Sequence, residues 1–387
     1  MLCHLGAAGG ATARGRDCAG ALAELFEGGQ MVDEADERLE AMYRRFSWRI
    51  TSNYVSPWEL DQIRAEVSDY EQWCATWSRW AEKHLARAAD ALAAGRLRTA
   101  ADAYVRAGLF YHWASFLFAH EPAQLRTALE AAAQCFERAA PLLDPPMEMI
   151  DVSFEGVKLH GYLRVPNAPE PPPLVLLLPG ADSTKEELFN LAEHMVERGL
   201  AIAAFDGPGQ GLVSFEMKLR PDYEVAVHAM LDALLDRADI DPGKVGVAGI
   251  SYGGLFACRA AASDERVRAV VSMSSWYSPA GRFAHLDRLS RAGVLHYMGP
   301  NAEAVLSEIS LAGVAAHVRV PVLQIYGAKD PASPPAEAAR VAAALGGPVS
   351  TVVFDDGVHV CNNVWYQARP LAADWLAETL QAAPEVR

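Results

Sequence analysis

Residues 244–262 read KVGVAGISYGGLFACRAAA, an apolar run that ends in Gly249-Ile250-Ser251-Tyr252-Gly253 and passes at once into a small-residue helical pattern. A serine at such a junction is lifted above the sheet by a sharp strand-to-helix turn. Gly249 and Gly253 are required there because the turn strains the serine backbone and crowds its neighbours. The hydroxyl then faces the N-terminus of the following helix, where free N–H groups and the helix dipole favour developing negative charge. That is the setting of a nucleophile, and a nucleophilic serine needs a base and a carboxylate to orient it. Asp330 follows the apolar run VPVLQIYGAK and precedes PASPP, and His359 follows STVVFDDGV in the loop GVHVCNN. Eleven histidines are present, so position selects one. His160 lies in a hairpin, His194 and His228 lie within helical patterns, and His285 and His296 lie in an insert after Ser275. His359 alone leaves a final strand. Ser251, His359 and Asp330 are therefore expected as nucleophile, base and orienting acid.

An acyl-transfer site also needs donors for an oxyanion. The backbone N–H of Tyr252 is one expectation, and that of Ala181, in the loop Gly180-Ala181-Asp182-Ser183-Thr184-Lys185-Glu186-Glu187, is the other. Ser183-x-x-Glu186 and Thr184-x-x-Glu187 both fit a capping box, so these polar residues are expected to start a helix. Asp182 is a candidate for substrate contact, as are Trp276 and Tyr277 after the fourth of the apolar runs. Gly207-Pro208-Gly209-Gln210-Gly211 lacks the register of a phosphate-binding loop and is read as a tight turn. Cys361, close to His359, is read as incidental. No cofactor and no metal site are expected.

These residues need a scaffold, and the pattern changes once, near residue 145. From Met31 to Leu143 apolar residues recur at three and four, as in Leu85, Ala88, Ala89 and Leu92, then Ala100, Ala103, Tyr104, Ala107 and Tyr111, with a break at Gly95. Four or five helices are expected, with Trp73, Trp77, Trp80, Trp113 and Phe116 as helix–helix core, some of them bordering a pocket. Val152–Pro166 reads as a two-stranded hairpin. The apolar runs 174–180, 201–209, 244–251, 267–275, 320–330 and 350–356 then alternate with helical patterns at 186–198, 223–237, 253–262, 335–345 and 364–380. Runs this continuous predict a parallel sheet covered on both faces, a doubly wound α/β architecture with its functional edge at the strand C-termini. The expected organisation is a disordered segment over 1–30, a helical cap over 31–147 and an α/β domain over 148–387, with Met31 a candidate start.

Composition narrows the partners. The formal net charge is −15 and no Lys/Arg block exists, which disfavours nucleic acid and anionic membranes. No apolar run reaches the ~18 residues of a bilayer span. Six cysteines without paired spacing read as free thiols, and no secretory signal is visible, so a cytoplasmic enzyme for a small molecule is expected; a homodimer is compatible with this.

GISYGG with the Asp330 and His359 loops resembles the α/β-hydrolases. LPGADSTKEE, FDGPGQG and GRLRTAADAYVRAGLFYHWASFLF, together with GISYGG, resemble more narrowly the group that includes 2,6-dihydroxypseudooxynicotine hydrolase and fungal polyketide chain-shortening hydrolases. The resemblance implies an N-terminal helical cap over the site and cleavage of a carbon–carbon bond beside a ketone. It also implies an extra acidic residue after the strand that follows the nucleophile helix. Here that region, SMSSWYSPAGRFAHLDRL, offers Trp276, Tyr277, Ser278 and Arg282 and no carboxylate before Asp287. Ester hydrolysis, carbon–carbon cleavage and elimination of a carboxylate with His359 as base all remain open on the residues, and a non-catalytic binding module is the alternative outside enzymology.

Overall fold

The computed structural model describes residues 34–382; the segment 1–30, Met31, Cys3 and Cys18 lie outside the described residues. Five α-helices come first: α1 Glu34–Thr51, α2 Pro57–Glu66, α3 Trp73–Ala93, α4 Leu97–Ser115 and α5 Pro122–Ala139. Local chemistry sets their ends. Ser56 caps α2 in a reciprocal capping box with Glu59, and Pro57 occupies the first turn, where no N–H is needed. Gly95, at φ 70°, divides α3 from α4. Trp73, Trp77, Trp113, Phe110 and Phe118 are fully buried in the interior of this layer, as aromatic helix–helix core.

The sheet has eight strands in the order β1-β2-β4-β3-β5-β6-β7-β8. β1 (Met147–Phe154) and β2 (Val157–Arg164) form an antiparallel hairpin, turned by Glu155 and Gly156, both at positive φ. The hairpin starts five residues before the expected Val152, because Met147–Asp151 continue the same register against Gly161–Arg164 and His160. β2 pairs antiparallel with β4 (Ala201–Phe205), and every later pairing is parallel: β3 (Pro173–Leu178), β5 (Asp241–Ile250), β6 (Val267–Met273), β7 (Val322–Gly327) and β8 (Val349–Phe354). Every residue of β3, β4 and β7 is buried, as continuous apolar runs in a covered sheet should be. β8 departs from that expectation: as the edge strand it is only half covered, and Val353 is exposed.

α6 (Phe189–Val196) and α12 (Trp365–Gln381) cover one face of the sheet; α7 (Glu224–Leu235) and α8 (Tyr252–Ser263) cover the other. The helix patterns read from sequence fall on these elements and on α11 (Pro335–Ala344). The insert after β6 holds two further helices, α9 (Arg288–Met298) and α10 (Ala302–Glu308), whose short lengths and mixed polarity left no clear period.

The helical layer is not a loosely hung appendage. Ala88, Ala91, Ala100, Tyr104, Leu109 and Phe136 share one continuous apolar cluster with Phe189, Leu191, Ile202 and Val175 of the sheet layer. Each fully buried large apolar side chain contributes about 1.5–3 kcal/mol. A chain lacking residues 34–143 should therefore bare an apolar face, bind a hydrophobic dye and aggregate on expression; a soluble monomer with native-like near-UV dichroism would contradict this packing.

Candidate active site

β5 delivers Ser251 at φ 56° and ψ −120°, a backbone position costly for any residue with a side chain. The surroundings force it. A Cβ on Gly249 would lie 2.1 Å from the carbonyl carbon of Gly253, and one on Gly253 would lie 2.1 Å from the Leu178 oxygen. Only bare backbone fits on either side of the serine. The Ser251 N–H donates to the Met273 oxygen at the end of β6, which fixes the turn against the neighbouring strand.

His359 Nε2 lies 3.2 Å from Ser251 Oγ, and His359 Nδ1 lies 2.7 Å from Asp330 Oδ2. The other Asp330 oxygen accepts from the backbone N–H groups of Ala332 and Ser333. Burial alone would push the Asp330 carboxyl up. The His359 ring and these two donors outweigh it and hold the group below the usual carboxylate range. With Asp330 ionised, Nδ1 carries the proton and Nε2 is left to accept from the serine. The three residues thus form one hydrogen-bonded chain ending on a hydroxyl.

The loop after β3 runs beside this hydroxyl: a Cβ on Gly180 would sit 3.4 Å from the Ser251 Cβ. Tyr252 is the first residue of α8, where backbone N–H groups have no intrahelical acceptor. Gly180, next to Ala181 in this loop, and Tyr252 at the start of α8 therefore border the serine with backbone. The β3 loop is fixed from below by Gln210, a fully buried residue of the glycine-rich turn. Its Nε2 donates to the Pro179 and Gly180 oxygens, and its Oε1 accepts from the Gly207 N–H and the Tyr223 hydroxyl. The turn after β4 is thus a brace for the loop rather than a phosphate cradle.

The capping boxes expected at Ser183 and Thr184 do not form. The segment Lys185–Leu188 is a short 3₁₀ turn with no side-chain cap. Ser183 Oγ instead donates to Glu187 at 2.5 Å, and Thr184 Oγ1 lies 3.1 Å from His112 Nδ1 on α4. These residues are buried against the helical layer, whose polar groups compete for them. Arg49, at the end of α1, meets Glu187 with two parallel hydrogen bonds of 2.6 and 2.7 Å and reaches Asp182 at 3.1 Å. Its guanidinium also lies over the Phe116 ring, 4.7 Å from the centroid. One turn on, Ser52 contacts Asn362 at 3.3 Å and accepts from the buried Arg369, while Asn362 donates to the His359 oxygen. The end of α1 therefore touches both the loop beside Ala181 and the loop that carries His359.

Of the other candidates, Trp276 lies over His359, with ring centroids 5.9 Å apart and planes 27° apart, and contacts Tyr252. Asp182 lies at this edge with its carboxylate on Arg49. Tyr277 does not join them: its ring sits under Arg340 of α11 and its N–H donates to Glu337. Cys361 is buried and its thiol is pushed up to about 12 by burial. Arg49, Gln210, Ser274 (whose hydroxyl accepts from the Val360 N–H) and Asn362 were not singled out by sequence, because none carries a motif.

A mostly parallel sheet with a strained serine between β5 and α8, and Asp330 and His359 after β7 and β8, defines an α/β-hydrolase. The esterase FrsA-like profile matches residues 60–279 and the prolyl oligopeptidase profile residues 189–382. The chain belongs to the FrsA-like esterase family of α/β-hydrolases. It is 30% identical over 328 residues to a 2,6-dihydropseudooxynicotine hydrolase of Paenarthrobacter nicotinovorans, covering 81% of this chain and 86% of that one. It is 37% identical over 225 residues to the α/β-hydrolase xenA of Xenoacremonium sinensis, where the match spans 54% of this chain and 53% of the fungal one. The crystal structure of 2,6-dihydroxy-pseudo-oxynicotine hydrolase superposes with a TM-score of 0.78 at 28% identity, over 87% of this chain and 96% of that one.

The Arg49–Glu187 pair sets a stability test. Burial pushes the Glu187 carboxyl up, but Arg49 and His112 hold it well below its ordinary value. Its folded-state pKa is depressed, so its contribution is present above the unfolded carboxylate range and is lost as pH falls through and below it. Arg49→Met strands a buried carboxylate and should cost about 3–5 kcal/mol at pH 7. Thermal unfolding at pH 7, 5 and 4 should show the gap from wild type narrowing toward acid, where Glu187 can take a proton. A gap independent of pH would show that packing, not charge, carries the effect.

Proposed function

We propose that this chain is a serine hydrolase acting on the carbonyl of a small, largely apolar acyl compound. The observation that carries the reading is the unbroken hydrogen-bonded chain from Ser251 through His359 to Asp330, at a serine held in strained backbone. In this reading Ser251 Oγ adds to the carbonyl carbon and its proton passes to His359 Nε2. Asp330 stabilises the imidazolium, and the Tyr252 and Ala181 N–H groups receive the oxyanion. The proton then passes to the leaving group, the acyl-serine forms, and water, deprotonated by the same imidazole, releases the acid and the free serine.

The proton donors at hand bear on the choice of leaving group. A carbanion leaving group benefits from an acid beyond the histidine. The β6 loop offers none before Asp287, and Asp182, on the β3 loop, accepts from Arg49. An alkoxide needs no more than His359. Ester-type acyl transfer is the reading we favour, on a polyketide-like or aromatic secondary metabolite. The naming of relatives as hydrolases of 2,6-dihydropseudooxynicotine and 20-hydroxy-prefusarin is in keeping with a small organic substrate.

Ser251→Ala should lower kcat on a short p-nitrophenyl ester by several orders of magnitude with little change in substrate binding, and should abolish labelling by a fluorophosphonate probe. His359→Ala should be nearly as severe, and adding Asp330→Asn to it should cost little more, because the three act as a unit. Turnover near wild type in Ser251→Ala would assign the reaction to His359 acting as base in an elimination; ligand binding without any labelling in the wild type would mark a binding module. In a second comparison, Asp182→Asn should affect a p-nitrophenyl ester and a β-diketone alike. Selective loss on the β-diketone would make Asp182 the acid for carbon–carbon cleavage.

A further inference from the structure

In a chain of net charge −15, the segment 282–291 stands out. It carries Arg282, His285, Arg288 and Arg291 against a single carboxylate, Asp287. That carboxylate is already engaged: it caps α9 through the Ser290 N–H and hydroxyl, and it pairs with Arg45 of α1 at 3.2 Å. Among the described residues none of the three arginines pairs with a carboxylate. Arg288 and Arg291 are exposed; Arg291 donates to the Ala284 oxygen and lies over the Phe283 ring, 5.2 Å from its centroid.

Arg282 is the innermost. Its guanidinium lies over Trp276, 4.8 Å from the ring centroid, and Trp276 lies in turn over His359. The cation is thus stacked one indole beyond the imidazole. Of its five N–H donors, one meets an acceptor, the Ala332 oxygen at 2.6 Å. Asp330, the nearby carboxylate, is committed to His359 and two backbone amides. Burial penalises this guanidinium, and the carboxylates of Asp330 and Glu337, neither of them hydrogen-bonded to it, offset only part of the cost. A half-buried planar fork with free donors, stacked on the indole beside His359 and in the same segment as two exposed arginines, matches a carboxylate in charge and geometry.

We propose that Arg282 binds a carboxylate of the substrate, separate from the carbonyl that Ser251 attacks, and that Arg288 and Arg291 raise the local concentration of such anions. The substrate is then an acyl compound bearing an acid group, held with its apolar body along Trp276. This rests on the serine-hydrolase reading for the identity of the reacting carbonyl, but not for the binding of the anion.

Matched ester pairs test it: p-nitrophenyl valerate against mono-p-nitrophenyl glutarate, and phenyl acetate against 4-acetoxybenzoate. Wild type should favour the charged member of at least one pair, with a preference that falls as salt rises. Arg282→Gln should lose roughly ten- to a hundredfold more kcat/KM on that member than on its neutral partner, the range for a hydrogen bond to a charged group. Arg282→Lys should restore part of the loss. Equal losses on both members would overturn the proposal and leave Arg282 as a support for Trp276 and the Asp330 loop, and absence of any charge preference in the wild type would overturn it without need of a variant. Calorimetric titration of benzoate into Ser251→Ala, and into the same variant with Arg282→Gln, separates the two readings. Binding that depends on Arg282 upholds the anion site even where Ser251 proves not to be the nucleophile; benzoate binding that is absent, or indifferent to Arg282, overturns it.

Discussion

Ser251 stays at φ 56° only because residues 249 and 253 bring no side chain to the contact between strand end and helix start. Everything else near the site is arranged around the hydroxyl this turn presents. Met273 anchors the turn through the Ser251 N–H, the β3 loop passes within contact distance, and the loops after β7 and β8 bring Asp330 and His359 to the same point. Strain of this kind, about 1–3 kcal/mol at one residue, persists only where the surrounding structure over-determines it. The parallel sheet provides that rigidity: β3 and the C-terminal parts of β5 and β6 are buried, so the strand ends that carry the loops cannot shift independently.

The helical layer adds a different kind of constraint. Apolar packing holds it to the sheet without choosing a register to a fraction of an ångström, since such contacts are non-directional. The polar contacts at the end of α1 are directional. The two parallel hydrogen bonds from Arg49 to Glu187, and the Ser52–Asn362–Arg369 cluster, fix the helix against both loops that flank the serine. A buried ion pair adds little net stability over an apolar replacement, but breaking it by removing one partner is costly. Here these contacts lie where a shift in either loop would move the backbone beside Ser251 or the His359 imidazole.

Much of this was legible in the amino-acid sequence, and the pattern of success is physical. The GISYGG turn and the positions of Asp330 and His359 could be read because strand periodicity places each at a strand end. The five sheet helices could be read because each has an apolar face of ordinary length. β8 was misjudged because the apolar character of STVVFDD does not reveal that one neighbour is missing. The capping boxes at Ser183 and Thr184 were misjudged because a local motif says nothing about competitors supplied from more than 70 residues away, His112 and Arg49. Gln210, Asn362 and Ser274 act through single amides and hydroxyls in folded space, so no spacing rule could point to them. The β6 insert was seen as a segment lacking a carboxylate before Asp287; that Arg282, Arg288 and Arg291 meet no carboxylate among the described residues is a property of the folded chain.

Arg49 and Ser52 sit about one helical turn apart, so a single rigid element grips the β3 loop with one residue and the β8 loop with another. Recombination between relatives has to respect that grip. A chimera that joins the helical layer of one homologue to the sheet of another would align the chain and still misplace both loops, unless the end of α1 and its four partners, Asp182, Glu187, Asn362 and Arg369, travelled together. The unit of inheritance in this fold is therefore not the layer but the seam, and module exchange at the boundary near residue 145 would cut across it.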